Sequence, residues 1–187
     1  MIKRVLVLVK PDGVYRALIG KVISTLEDAG LKVIAIKMAR PDRDMAAKHY
    51  IADEEWLTFI GRKAKDSYLE KGIKIEESEL EIGKRIHAQL IDYLTSGPVV
   101  AMVFEGNEAP FVARKLLGPT EPRKADPSTF RGRYASDSYD LADSQKRAVK
   151  NLVHISDENV AEREIHVWFK EEEISSYQRA DEKFMFQ

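Results

Sequence analysis

A histidine, a hydroxyl and a carboxylate lie close together late in this chain: His154, Ser156 and Glu164, within N-L-V-H-I-S-D-E-N-V-A-E-R-E-I, residues 151–165. An imidazole oriented by a carboxylate is a nucleophile of fixed direction, and near neutral pH much of it is already uncharged. Glu164 opens an alternating run, Ile165, His166, Val167, Trp168 and Phe169, whose period of two predicts the last strand, with Glu164 at its edge. The other histidines offer less. His49 and His87 lie in polar helical contexts and read as surface residues, and His166 reads as a structural residue of the last strand. The four share no metal-ligand spacing, and no H-E-x-x-H occurs. The absence of cysteine removes thiolate metal sites, disulfides and cysteine nucleophiles. No metal ligand is therefore assigned to a side chain.

The cationic groups suggest an anionic substrate. K-P-D-G at 10–13 delivers Lys10 at the end of an apolar run, where its ammonium could reach a phosphate, although a turn with an exposed lysine is the commoner use of such a tetrapeptide. Gly13 and Gly20-Lys21 do not make a phosphate-binding loop: six residues separate the glycines, and there is no G-x-G-x-x-G. Any phosphate must then be held by side chains. Arg114, late in a helix, Thr120, after Gly118-Pro119, and Arg131, in T-F-R-G at 129–132, are the candidates, because converging guanidinium groups bind phosphate bidentately. Arg123, Lys124, Arg133, Lys146 and Arg147 read as a solvated loop population balancing nearby acids.

These residues need a scaffold. Val5–Val9 is a continuous apolar run, the pattern of a strand buried on both faces, stopped by Pro11, Asp12 and Gly13. Ile19, Val22, Ile23, Leu26 and Ala29 share one helical face, closed by Gly30. Leu31–Met38 alternates as a second strand. Asp42 can cap a helix running towards Tyr50. Residues 54–94 read as helical, with Ile82, Ile86, Leu90 and Leu94 on one stripe. Val99–Phe104 is a third strand, and Ala109, Val112, Ala113, Leu116 and Leu117 mark another amphipathic helix. Residues 118–150, rich in Pro, Gly, Ser, Asp and Arg, read as a long functional loop. After the last strand comes a polar tail carrying Tyr177, Phe184 and Phe186. The order is βαββαβ, a single ferredoxin-like α+β domain over 1–187: a four-stranded antiparallel sheet with helices on one face and an inserted helical segment before the third strand.

Composition bounds the partners. Apolar residues make up 44% and charged residues 33%, as in a soluble globular protein, and the net charge of −1 gives no general pull towards nucleic acid or acidic membranes. The N-terminal apolar stretch is too short for a signal peptide and no stretch reaches membrane-spanning length, so a cytoplasmic location with no membrane partner is expected. An RNA-binding βαββαβ module would need a K/R-G-F-G-F-x-F pattern, which is absent, so no specific nucleic acid is expected.

The segment Asn151-Leu152-Val153-His154-Ile155-Ser156-Asp157 is similar to N-[IV]-[IV]-H-x-S-D, the signature of the nucleoside diphosphate kinases. K-P-D-G-V, H-Y at 49–50, S-G-P-V-V-A-M-V, R-x-x-L-G-x-T-x-P and T-F-R-G resemble the same family in the same order, and the likeness runs on to the terminal K-F-M-F-Q. The resemblance implies ping-pong transfer of a γ-phosphoryl group from a nucleoside triphosphate to a nucleoside diphosphate through a phosphohistidine, with Mg²⁺ delivered on the nucleotide phosphates. It implies a homo-oligomer, the family forming dimers assembled into larger rings. Carried over by residue, His154 is the nucleophile, Glu164 orients it, and Ser156 bonds that carboxylate. Lys10 and Asn151 meet the ribose hydroxyls and nearby phosphate, Arg114, Thr120 and Arg131 clamp the β- and γ-phosphates, and Tyr50 packs against the phosphate site. Asp157 reads as a turn or cap residue. No polar group clearly reads a base edge, which implies low base specificity.

The chain departs from the family pattern in three places. Insertions fall at approximately 55–92 and 133–147, so Trp56 and Phe59 both stand as base-stacking candidates, with Ala148 as a second base contact. Ile155 occupies a position that is usually small. The rival from another class is a non-catalytic nucleotide-binding regulatory module on the same fold.

Overall fold

The computed structural model describes residues 1–185. Strand β1 (Ile2–Val9) runs into α1 (Pro11–Tyr15) and α2 (Ile19–Glu27), followed by β2 (Lys32–Ala39), α3 (Arg43–His49), α4 (Glu54–Glu70), α5 (Glu79–Thr95), β3 (Val99–Asn107) and α6 (Ala109–Leu117). A 3₁₀ turn (Pro122–Lys124), α7 (Phe130–Tyr134) and α8 (Tyr139–Ser144) punctuate the segment expected as a long loop. Then come β4 (Val153–Ile155), α9 (Ala161–Trp168), a second 3₁₀ turn (Glu171–Glu173) and α10 (Glu182–Met185). The sheet order is β2-β3-β1-β4 and every pairing is antiparallel, the ferredoxin-like arrangement.

The apolar run of β1 is buried because the sheet is covered on both faces, not on one as the sequence suggested. Val5, Val7 and Val9 pack with Val22 and Leu26 of α2 and Ala113 and Leu117 of α6. Leu6 and Leu8 face the opposite layer, with Ala46 of α3, Leu94 of α5 and Ile165 and Trp168 of α9. Each such valine or leucine contributes ~1.5–3 kcal/mol on leaving water, so β1 is the anchor of both layers.

Two further expectations are corrected, the place of the last strand and the setting of His166. The fourth strand is 153–155, not 165–169. It pairs with β1 in the register Val9↔Val153, Leu8↔His154, Val7↔Ile155, so the histidine itself sits on the strand. Residues 165–168 close helix α9, where Ala161, Glu164, Ile165 and Trp168 are buried and Glu162 and His166 are exposed. That burial follows the helical period, and five residues of apparent alternation fit either reading. His166 is accordingly a half-exposed helix residue whose Nδ1 bonds Glu162 O. Residues 54–94 are two helices, α5 opening with a Ser78/Glu81 capping box. Gly61 and Gly83 allow α4 and α5 to cross closely: a Cβ at Gly61 would lie 1.7 Å from Glu79 O.

The two segments expected as insertions meet through Lys71 and Asp140. Beyond α9 the tail runs along β2, with Ser175 N–H donating to Ile34 O and Tyr177 Oη to Val33 O. Phe184 is exposed; Phe186 and Gln187 lie outside the described residues. Among the described residues no helix is long and apolar enough to cross a membrane.

Candidate active site

The backbone before His154 is constrained. Leu152 has a φ of 68°, and Val153 N–H donates to Asn151 O at 2.7 Å. Together these define a γ-turn of the strained, positive-φ kind, a conformation that for a non-glycine residue costs of order 1–3 kcal/mol. Its neighbours hold it. Lys10 N–H donates to Leu152 O at 2.8 Å, and Asp12 Oδ2 accepts from Leu152 N–H at 3.1 Å. The other Asp12 oxygen accepts from Tyr93 Oη at 2.6 Å. Gly13 lets α1 come this close, since a Cβ there would lie 2.8 Å from Leu152 O. K-P-D-G therefore delivers Lys10 and also clamps the turn that aims His154.

His154 Nε2 meets Glu164 Oε2 at 2.6 Å. Glu164 is buried, so its carboxyl is pushed above the ordinary range chiefly by desolvation. His154 keeps 18% of its side chain exposed. Its imidazole is held well below its ordinary pKa, first by burial and then by the charges of Lys10, Arg131 and Arg114. The ring is thus neutral at pH 7. With Nε2 bonded to a carboxylate the proton belongs there, which leaves the Nδ1 lone pair free to attack.

The expected anion binders gather around it. Lys10 is buried, donates to Asn151 Oδ1 at 2.9 Å, and has its pKa pushed down to about 7 by burial and by Arg131. Asn151 is buried, and its amide donates to Thr120 O at 2.9 Å. Thr120 is exposed. Arg131 is buried and donates to the carbonyls of Asn151, Gly118 and Val153; burial lowers its pKa to about 10. It ties three chain segments together and keeps further N–H groups for a ligand. Arg114 donates to Ile155 O at 3.1 Å and to Asp157 Oδ1 at 2.6 Å. Asp157, expected as a turn or cap residue, opens a turn with its carbonyl accepting from Val160 N–H at 3.1 Å, and its carboxylate is also the ion-pair partner of Arg114. Tyr50 lies edge-on to His154, ring centroids 6.1 Å apart, and its buried Oη has no partner among the described residues.

Two expectations fail. Ser156 does not bond Glu164: its buried Oγ accepts from Leu6 N–H at 2.9 Å, so it fixes β4 to β1. His49 is not on the surface. It is fully buried, its ring 4.5 Å from that of His154 and its Nδ1 facing Trp168 Nε1 at 3.4 Å. The H-Y pair was the available signal, but only its tyrosine was assigned a role. His87 is half-buried, its Nε2 on Tyr50 O at 2.8 Å. Asp12, Tyr93 and Arg163 were also missed, because their partners lie far along the chain. Of the base-contact candidates, Phe59 is exposed with Lys63 over its ring, Trp56 is half-buried beside His87, and Ala148 is half-buried.

His49, His154 and Glu164 place potential ligand atoms within 4.8 Å of one another. A cation there would break the His154–Glu164 bond and stand near Lys10, Arg131 and Arg114, so these groups do not favour one. The loop carbonyls are taken by Arg131 and the nearby carboxylates by Arg114, Tyr93 and Leu152. What the pocket offers is a neutral nucleophile inside a shell of cationic and amide donors, the equipment of a phosphotransferase.

Comparison with known proteins agrees. The sequence model of the family described as nucleoside diphosphate kinase matches residues 3–65 and 76–174, passing over the end of α4 and the start of the α4–α5 connection. The chain is 46% identical over 179 residues to the nucleoside diphosphate kinase of Pyrobaculum aerophilum, covering 92% of this chain and 98% of that one. It is 40% identical over 184 residues to that of Pyrococcus furiosus, covering 98% and 92%. The solved NDP kinase from P. aerophilum superposes with a TM-score of 0.90 at 43% identity, over 94% of this chain and all of that one. A transition-state mimic of the Borrelia burgdorferi nucleoside-diphosphate kinase, with bound vanadate and ADP, gives 0.79 at 36% identity, over 97% and 95%. The chain belongs to the nucleoside diphosphate kinase family and is a phosphotransferase.

Proposed function

We propose that His154 carries the phosphoryl group between two nucleotides. The Nδ1 lone pair attacks the γ-phosphorus of a nucleoside triphosphate; the bond to the β–γ bridging oxygen breaks, and the nucleoside diphosphate leaves with its electrons. Nε2–H stays on the ring, and Glu164 stabilises the positive charge that grows as the N–P bond forms. A terminal oxygen of the second nucleoside diphosphate then attacks the same phosphorus and returns the electron pair to Nδ1. The observation that carries this reading is the 2.6 Å His154–Glu164 bond inside a ring of cations. A non-catalytic binding module would have no use for an imidazole kept neutral and directed.

Arg114, Arg131, Thr120 and Lys10 would hold the β- and γ-phosphates, with Lys10 and Asn151 reaching the ribose and Tyr50 lying beside the phosphates. Arg114 reaches them by exchanging Asp157 for phosphate oxygen. The substrates are nucleoside di- and triphosphates; the related Borrelia and Halobacterium salinarum structures hold ADP and CDP respectively. Low base specificity follows from a set of contacts confined to phosphate and ribose. Mg²⁺ suits this pocket as a passenger on the nucleotide, because the residues around His154 are nitrogen donors rather than a cage of free carboxylates. Bound there it neutralises charge on the phosphates. A homo-oligomer fits edge strand β2, where Ile36 and Met38 are 51% and 62% exposed. A chain without cysteine fits a reducing cytoplasm.

The test is intact mass after incubation with ATP and Mg²⁺. One added phosphoryl group, acid-labile and alkali-stable, lost in His154→Ala and discharged by any nucleoside diphosphate, is expected. A label that persists in His154→Ala would overturn the assignment.

A further inference from the structure

His49 is the one histidine near the site to which no role has been given, and its surroundings are specific. It ends α3 and is completely buried. The indole N–H of Trp168 can only donate, so His49 Nδ1 accepts and its proton is on Nε2. That Nε2–H has no partner among the described residues. An unpaired buried donor costs about 1–3 kcal/mol, so a ring serving only to fill space would be better as phenylalanine. Burial foremost, with the nearby cationic groups of Lys10 and Arg163, keeps His49 neutral and its Nδ1 lone pair available.

The partner explains why that lone pair matters. Trp168 lies four residues after Glu164 on α9, one turn along the same face. A bond that fixes Trp168 fixes the rotation of α9 about its axis, and that rotation sets where the Glu164 carboxylate points. Arg163 adds a second tie from α9 to the same end of α3, donating to Lys48 O at 3.1 Å and to His49 O at 3.4 Å. Nδ1 is 3.9 Å from Glu164 Oε2, too far to bond it, so His49 acts through the helix and not on the carboxylate. Its ring also stands edge-on to His154, centroids 4.5 Å apart and planes 82° to each other, closing the side of the imidazole.

We propose that His49 is a positioning residue for phosphoryl transfer: by accepting from Trp168 it holds α9 in the rotation that brings Glu164 to Nε2 of His154, which keeps the His154 proton on that nitrogen. The kinetic part of this proposal rests on His154 being the phosphoryl carrier; the tautomer part does not.

Three variants separate the possibilities. His49→Phe keeps a buried ring and loses both nitrogens. His49→Asn places an oxygen where Nδ1 was and should keep the Trp168 bond. Trp168→Phe removes the donor and keeps an aromatic in place. The readouts are ring ¹⁵N shifts of the histidines in the nucleotide-free protein, kcat and KM for phosphoryl transfer, and Tm. In the wild type, His154 and His49 should each show a protonated Nε2 and a bare Nδ1. His49→Phe and Trp168→Phe should average the two His154 nitrogens and lower kcat about tenfold or more with KM within about twofold, the split expected when only the transition state loses an interaction. Combining them should be little worse than either alone, because both break one contact. His49→Asn should keep kcat within about threefold and leave the His154 tautomer single.

A protonated Nδ1 on wild-type His49 would overturn the proposal. So would a single His154 tautomer with unchanged kcat in folded Trp168→Phe. If His49→Phe does not fold, Trp168→Phe and His49→Asn still decide the matter. Absence of phosphohistidine in the wild type would defeat the functional reading and leave the tautomer result to stand by itself.

Discussion

Two regions of this molecule use the same residue types to opposite ends. Around His154, Lys10, Arg131 and Glu164 are buried, Asp12 is half-buried, and each is bonded to a distant part of the chain. Arg131 donates to three backbone carbonyls, Lys10 is held by Asn151, and Asp12 grips the turn at Leu152. In the α4–α5 hairpin the charges face water: Arg62 pairs with Glu79 and Arg85 with Glu77, all at least about a third exposed. Glycines, not charges, join that hairpin. An arginine is therefore informative here through what it touches: Arg131 is a fastener of the site, whereas Arg62 is a solvated surface charge.

Substitution should separate the regions. His154→Ala removes the proposed carrier, and activity should fall by at least about 10⁴-fold in a coupled assay, as when an acting nucleophile is deleted. Arg131→Ala should come next, because three buried carbonyls lose a charged donor; a stability loss of several kcal/mol, at about 1–3 per orphaned group, should appear as a large drop in Tm. A near-native Tm would show that Arg131 binds ligand without fastening the loop. Glu164→Gln should lower kcat on the order of ten- to a thousand-fold with nucleotide Kd little changed, and a kcat within twofold of wild type would dissolve the pairing.

The pH dependence is a subtler probe of burial. Lys10, at about 7, is largely uncharged above neutrality in the free protein, whereas a bound phosphate favours the ammonium. Binding above pH 7 should therefore take up a proton, and affinity should weaken by up to about tenfold per pH unit there while staying level below 7. Calorimetry in buffers of different ionisation enthalpy would detect the proton. In the same site kcat/KM should remain level as pH falls through 6.5, because His154 is held well below its ordinary value; an acid limb centred at 6.5 would mean an exposed imidazole. At the other extreme, Arg62→Ala should change stability by less than about 0.5 kcal/mol, since exposed ion pairs contribute little.

The amino-acid sequence by itself determined what is local. The apolar run of β1, the helical stripes, the Asp42 cap and the order βαββαβ are written in neighbouring residues, and the family resemblance carried by the motifs pointed to most of the residues that gather around His154. The tertiary structure decided what depends on partners far away. Helix α9 reads equally as a strand until Ile165 and Trp168 are seen packed against the sheet while Glu162 and His166 face solvent. His49 looks like a surface residue until α3 and α9 close over it, and Ser156 turns from Glu164 to Leu6 because β4 pairs with β1. Periodicity records which side of an element is buried, but not what it is buried against. A hydrogen bond between residues more than a hundred positions apart, such as Trp168 to His49, has no local signature at all.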